Sequence, residues 1–363
     1  MTDPRTPRRS LAVAAALLAG ATLSAPADAK DEFVYAVPSA ITSAVANFAF
    51  AMELGFFEEE NIAPDFIPMA GSGVTIPQLL ANQIQSTGAS LEPLVIARVP
   101  GNQDFPLIFV YNYLRNSVWE FAVLEDSDIQ SFDDLRGRTI GIVSLTAGNI
   151  YSTQSIVESR GIPWEEVETV PVGFGAQAFE ALRTGEVDVL NLWDSMHQAM
   201  ELAGIPFRRL EMPPEFQGLS SHGFSVTLDM VENNPDLIER FGRAATKGAI
   251  ACQANPEGCL RAYYRQFPDR MPADMDLDAA VEREMPIMMS RLANITFFRD
   301  GEEELYGAFE ERDWDALIDS LRLGGVVPAD LEIPLDSLFT NRFVEAYNDF
   351  DRDAVIALAQ AYE

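Results

Sequence analysis

Asp134-Leu-Arg-Gly-Arg-Thr-Ile-Gly-Ile-Val-Ser-Leu-Thr-Ala-Gly-Asn149 decides the fold class of this 363-residue chain. A charged turn, Asp134 to Arg138, leads into a short apolar strand, Thr139 to Val143. A loop of small and hydroxyl residues follows from Ser144 to Gly148, and a helical pattern opens at Asn149. That order leaves backbone N–H groups and hydroxyls free at the carboxyl end of a strand, where open α/β sheets take up ligands.

The same pattern recurs along the chain. Phe33 to Val37 reads as a strand, followed by the loop Pro38 to Ser43, which carries Thr42. Val45, Phe48, Ala49, Met52 and Phe56 then repeat at helical spacing. Ile62 to Met69 is a second strand, ending in Ala70-Gly71-Ser72-Gly73, and Ile84 to Thr87 a third, with a loop from Gly88 to Glu92. After Thr139–Val143, strands are expected at Val167–Val172 and Glu186–Leu192, with Gly173-Phe174-Gly175 and Trp193-Asp194 at their ends. Two βαβαβ units of this kind predict an α/β protein with two lobes and mostly parallel sheets. Leu107 to Leu124, broken near Arg115-Asn116-Ser117, reads as one crossing between lobes, and Ser220-Ser221-His222-Gly223 as a second. Beyond the strand Phe224–Leu228, helices are expected at about 234–254, 257–266, 277–292, 313–323 and 337–347.

The amino terminus sets the expected compartment. Arg5, Arg8 and Arg9 precede an apolar stretch, Leu11 to Leu23, and Ala27-Asp28-Ala29 offers a small-x-small cleavage site. This is the layout of an exported leader, too short for a comfortable membrane span. The expected organisation is therefore a signal peptide over 1–29, a first lobe from 30–116, a second lobe from 117–222, and a mostly helical return to the first lobe over 223–363.

The net charge is −31, and it becomes −32 when the leader takes away three arginines and two aspartates. Such a surface repels nucleic acid and anionic headgroups. It serves solubility in a salty medium or offers an acidic face to a basic partner. Cys252 and Cys259 flank an Asn255-Pro256 helix break, so either a disulfide or two buried thiols fits an oxidising compartment.

Several segments carry a family resemblance. Glu53-Leu54-Gly55-Phe56-Phe57-Glu58-Glu59-Glu60-Asn61-Ile62, Asp134 to Ile142, Thr184-Gly185-Glu186-Val187-Asp188 and Ala254-Asn255-Pro256-Glu257 resemble elements of the periplasmic substrate-binding proteins of ABC importers. The group is the one that binds nitrate, taurine, alkanesulfonates and thiamine pyrimidine precursors. Their order and spacing span nearly all of the chain after the leader. The resemblance implies a type II periplasmic binding fold, two lobes on a hinge with a ligand cleft between them. It also implies a periplasmic monomer that binds a small molecule and delivers it to ABC permease subunits, with no cofactor. One departure stands out: Asn82 to Thr87 replaces a Gly-x-x-Asp segment common in that group. The Cys-rich iron motif of the eukaryotic pyrimidine-synthesising relatives is also absent.

In that fold the ligand lies at the strand ends. Ser144, Thr146, Gly148 and Asn149 would meet it from one lobe, and Thr42, Gly71, Ser72, Gly73 and Glu92 from the other. Phe174, Trp193 and Asp194 would add an aromatic wall and a carboxylate. The same Ser, Thr and Gly residues also suit ordinary caps and turns, and Trp193 suits a core. None of these loops holds Arg or Lys, which favours a neutral or cationic nitrogenous ligand such as a pyrimidine. Arg98 or Arg115 reaching in would favour a small anion, a sulfonate or carboxylate, instead. An exported enzyme or a ligand-sensing adaptor is the alternative outside the class. Catalysis finds little support, since Gly218 to Gly223 misses the Gly-x-Ser-x-Gly spacing. Asp194, His197 and Glu201 on one helical face read as a solvated surface rather than a metal site.

Overall fold

The computed structural model describes residues 29–363, so the leader expected over 1–29 lies, apart from Ala29, outside the described residues. Among the described residues ten strands form two five-stranded sheets. They are β1 (Asp31–Val37), β2 (Ile62–Pro68), β3 (Ser86–Ser90), β4 (Leu107–Leu114), β5 (Trp119–Leu124), β6 (Thr139–Ile142), β7 (Glu168–Pro171), β8 (Val189–Trp193), β9 (Phe207–Arg209) and β10 (His222–Thr227). The first sheet runs β2-β1-β3-β10-β4 and the second β7-β6-β8-β5-β9. In each, three parallel strands are followed by one antiparallel strand, β10 or β5. That fourth strand is in each case the one that has just crossed from the other sheet. The chain therefore passes between the sheets at 115–118 and again before 222.

Most elements form where the apolar spacing places them, and the exceptions have physical causes. β3 was expected at 84–87 with a loop over 88–92. Instead Ser86–Ser90 is fully buried strand, and Glu92 begins the helix Glu92–Ala97. Its residues are small because neighbours press on them: a Cβ on Gly88 would lie 2.4 Å from the Tyr35 hydroxyl. A strand of Ser, Thr, Gly and Ala shows no apolar alternation, so its register is hidden from the sequence. β9 is short and charged and gives no strand signal. The helix expected at 337–347 is only Val344–Asn348, because the backbone before it pairs with β4. The Phe109 N–H donates to the Leu338 carbonyl and the Thr340 N–H to the Phe109 carbonyl, both at 2.9 Å. A last helix, Arg352–Gln360, starts at Asp351, whose carboxylate accepts from the Ala354 N–H.

Asn255 ends the helix Pro235–Ala254 and caps Pro256–Gln266, accepting the Gly258 N–H at 2.9 Å. Proline at the first position of the new helix costs nothing there, since that N–H has no partner to lose. The bend holds the Cα atoms of Cys252 and Cys259 5.0 Å apart, and a disulfide joins them.

The first sheet buries an aromatic core in which Phe33 stacks on Phe241 at 3.9 Å and Phe48 on Phe66 at 4.8 Å. The C-terminal helices, expected in the first lobe, also pack on helices of the second sheet. Gly324 shows how closely, because a Cβ there would sit 2.3 Å from the Ser155 Cα. Its N–H donates to the Ser155 hydroxyl at 3.1 Å. Arg291, on the helix Leu277–Ile295, reaches Asp194 on the helix Asp194–Leu202. Among the described residues no helix is long and apolar enough to cross a membrane.

Candidate functional site

Facing strand ends of the two sheets enclose a cavity of about 70 Å³. The first sheet supplies Tyr35, Val37, Pro38 and Ser39 from the end of β1, Gly88 and Ser90 from β3, Tyr113 from β4 and His222 from β10. Phe48 comes from the helix Ala46–Glu53, and Gly71 and Ser72 from the loop after β2. The second sheet supplies Trp119, Val143, Ala147, Gly148 and Trp193, and the C-terminal helix brings Arg291.

Aromatic faces dominate this wall. Phe48 and Tyr113 stack at 5.5 Å, while Trp119 lies edge-on to Trp193 at 6.1 Å and 5.6 Å from the His222 ring. Tyr113 is held by donating its hydroxyl proton to Asn47 Oδ1 at 3.0 Å. The polar groups are few and placed. Ser72 Oγ accepts the Ser90 N–H at 3.0 Å, and Ser90 Oγ lies 3.2 Å from His222 Nε2. The other imidazole nitrogen is 3.1 Å from the Ser221 hydroxyl. Burial first, and the Arg291 charge second, push the His222 pKa down to about 3, so the ring is neutral.

Among the described residues Arg291 is the one permanently charged cation in the wall, and its charge is matched. Its Nη2 and Nε donate to Asp194 at 2.7 and 3.1 Å, and the Asn294 amide donates to the same carboxylate at 2.7 Å. The Asp194 carboxylate also accepts the Ser195 N–H at 2.6 Å. Asp194 is thus saturated and withdrawn from the cavity, although it fixes the residue that does line it.

The other expected residues separate into groups. Gly71, Ser72, Gly148 and Trp193 line the cavity. Gly73, Ser144 and Thr146 instead hold the two strand-end loops against each other. The Gly73 N–H donates to the Thr146 carbonyl at 3.1 Å, and the Thr146 hydroxyl donates to the Ala70 carbonyl at 3.2 Å. Ser144 Oγ lies 3.2 Å from Thr146 Oγ1. A Cβ on Gly73 would fall 2.8 Å from the Thr146 Cβ, so only glycine permits this approach. Phe174 is 40% exposed at the rim, its ring 6.1 Å from Trp193.

Thr42, Asn149 and Glu92 are turned to the protein. Thr42 caps the turn Ser43–Val45. Asn149 donates its amide to Asn191 Oδ1 at 2.7 Å. Glu92 is buried and accepts from the Ser152 hydroxyl at 2.7 Å. Of these three, only Thr42 acts as a cap; Asn149 and Glu92 spend their side chains on contacts between elements.

Arg98 and Arg115 do not reach in. Arg98 pairs with Asp104 and the Ser337 carbonyl, and Arg115 with Glu302 and the Ala308 carbonyl. Of the three residues weighed as metal ligands, Asp194 is spent on Arg291, His197 lies 2.9 Å from Glu120, and Glu201 faces Arg209. Among the described residues no three His, Cys, Asp or Glu gather into a metal site.

Wall residues missed from the sequence include Tyr35, Phe48, Ser90, Trp119, His222 and Arg291. Trp119 and His222 follow the two crossings directly, and that position was a usable signal. Arg291 had none, because its contact with Asp194 spans 97 residues.

Comparison with known proteins follows this geometry. The family described as NMT1/THI5 like matches residues 42–259. A riboflavin-binding protein of Chloroflexus aurantiacus is 22% identical over 245 residues, 67% of this chain and, at 66%, just under two thirds of its own length. A formylaminopyrimidine-binding protein of Halalkalibacterium halodurans is 25% identical over 287 residues, 75% of this chain and 83% of its own. The periplasmic aliphatic sulphonate binding protein of Escherichia coli superposes with a TM-score of 0.60 at 13% identity, covering 85% of this chain and 92% of its own.

Proposed function

The chain belongs to the NMT1/THI5-like family and has the two-lobed fold of periplasmic binding proteins, and from that premise we propose that it is the extracytoplasmic solute-binding component of an ABC importer. Its ligand is a small, flat nitrogenous ring compound of pyrimidine type, neutral or cationic. The observation that carries this reading is the cavity wall: Trp119, Trp193, Tyr35, Tyr113 and Phe48 around a few hydroxyls and a neutral imidazole. Aromatic faces bind planar rings, and sparse polar groups fix their orientation. Riboflavin and formylaminopyrimidine, the compounds in the names of two relatives, share a pyrimidine ring. The matched Arg291–Asp194 pair leaves little net charge to attract an anion.

Capture proceeds by lobe closure. A ligand touching both sheets binds the closed state better and shifts the population towards it. The Gly73–Thr146 contact then seals the entrance. The protein acts as a monomer in the periplasm and hands its ligand to permease subunits.

One observation favours a small anion as the second reading. Arg291 commits Nε and Nη2 to Asp194, and Nη1 is left for a sulfonate or carboxylate oxygen. The enzyme reading would rest on the Ser90–His222 pair, but an imidazole pushed down to about 3 is a weak base for activating a hydroxyl.

A thermal-shift screen tests these readings together. A true ligand at 100 times its Kd stabilises by about 2.7 kcal/mol. Formylaminopyrimidine or riboflavin is expected to do so, and an alkanesulfonate to do nothing. Stabilisation by the sulfonate alone would transfer the assignment to the anion, and turnover of the bound compound would make the protein an enzyme.

A further inference from the structure

Glu92 is 3% exposed and sits beside the two crossings between the sheets, in a second cavity of about 20 Å³. It opens the helix that follows β3 of the first sheet. Its one hydrogen-bonding side-chain partner, Ser152, lies on the helix Ile150–Ser159 that follows β6 of the second. The Ser152 hydroxyl donates to Glu92 Oε1, while Oε2 is buried without a hydrogen bond. Asn149, Trp119, Ser221 and Leu317 close the cavity around it. Ser221 is tied to the first sheet through the Leu91 N–H and the Leu114 carbonyl, whereas Ser152, Asn149 and Trp119 come from the second sheet and are the part of the lid that lobe opening moves away.

Among the described residues no cation pairs with Glu92, and no other ionisable residue lines the cavity. The charged groups on the surrounding elements are turned to partners of their own. Arg98, at the end of the same helix, pairs with Asp104, and Glu158 on the facing helix accepts from Gln154. Glu120 on β5 holds His197 and Arg209, and Arg115 at the crossing holds Glu302. His222 on β10 meets Ser90 and Ser221. Asp313 and Arg322, on the helix Glu311–Leu323 that carries Leu317, pair with Arg299 and Asp319. Glu311 and Asp315 on that helix are exposed.

We propose that closure of the lobes is coupled to uptake of one solvent proton at Glu92, so that the cleft shuts more readily as pH falls. The inference rests on the solute-binding reading above and concerns the regulation of that same site. An ionised carboxylate covered by the second lobe loses water and gains one hydroxyl in return, which disfavours the closed state. A protonated carboxyl loses far less. Burial pushes the Glu92 pKa from 4.5 up to about 7 in this closed arrangement, against the pull of Ser152 and the helix-start N–H groups. A carboxyl exposed by opening returns to its ordinary value. The closed-to-open ratio then rises about tenfold for each unit that pH falls between those two values.

Small-angle scattering of the ligand-free protein from about pH 5 to about pH 8 tests the coupling. The wild type is expected to grow more compact as pH falls, and the E92Q variant, permanently neutral at this position, to stay compact throughout. A pH-independent wild type, or the same pH response in E92Q, overturns the proposal. An infrared titration of the wild type supplies a reading that needs no variant. A buried protonated-carboxyl band should persist to about pH 7 and vanish above it, and its absence at about pH 6 overturns the proposal too. Neither measurement uses a ligand, so a failed ligand screen and a failed proton coupling remain distinct results.

Discussion

Arg291 shows how one side chain can line a cavity and hold the fold together. Its guanidinium lines the cavity, and its carboxylate partner Asp194 is 7% exposed. Removing the cation in R291A leaves that carboxylate buried and unpaired, which should lower stability by about 3–5 kcal/mol in chemical denaturation. A loss under about 1 kcal/mol would mean the pair is solvated rather than buried. Trp193, proposed above as a ligand contact, lines the cavity between the rings of Trp119 and Phe174. W193A should weaken binding of the compound found in the thermal screen by about 2 kcal/mol, roughly thirtyfold in Kd by calorimetry. Glu92 also predicts a pH signature in folding itself. Its folded pKa of about 7 lies above the ordinary 4.5, so its contribution is intact below the ordinary value and is lost as pH rises through 7. Opening of the lobes relieves part of this penalty, so wild type should lose up to about 3 kcal/mol relative to E92Q between about pH 4.5 and about pH 8, and parallel stability curves would contradict this.

Loops and helix junctions carry the next set of consequences. The loop after β2 and the loop after β6 were each legible as glycine- and hydroxyl-rich strand ends. That they touch each other was not, since Gly73 and Thr146 share no sequence signal. G73A places a methyl group 2.8 Å from the Thr146 Cβ, a clash that exists only when the loops meet. It should weaken ligand binding at least about tenfold while leaving the unfolding free energy of the free protein within about 0.5 kcal/mol of wild type. An unchanged Kd would show that the loops need not touch for capture. The disulfide across Asn255-Pro256 closes a short loop of sequence separation 7. Replacing both cysteines by serine should cost about 2 kcal/mol, read by denaturation with and without reductant.

The two sheets are built alike and exchange one strand position each, β10 for β5, so the chain joins them at the crossings 115–118 and before 222. Helices from the C-terminal part also rest on helices of the second sheet through Arg291 and Gly324. The proposed closure must therefore move or slide these contacts as well as bend the two crossings. Saturation with ligand should reduce the radius of gyration in small-angle scattering, and an unchanged value would argue that the cleft admits ligand without lobe motion.

Local signals in the chain settled the α/β class, the two βαβαβ units and the helix break at Asn255-Pro256. Apolar period and turn chemistry act within a few residues and leave a direct trace. The strand-end rule also brought Gly71, Ser72, Gly148 and Trp193 to the cavity. What only the tertiary structure decided was which side chains converge. Asp134 to Asn149 illustrates the division: its strand, loop and helix formed as read, yet Thr146 contacts the facing loop and Asn149 turns inward to Asn191. Arg291 arrives from a helix far along the chain, and Glu92 loses its water to a helix of the other sheet. Burial, pairing and pKa depend on neighbours distant in sequence, and no local pattern encodes them.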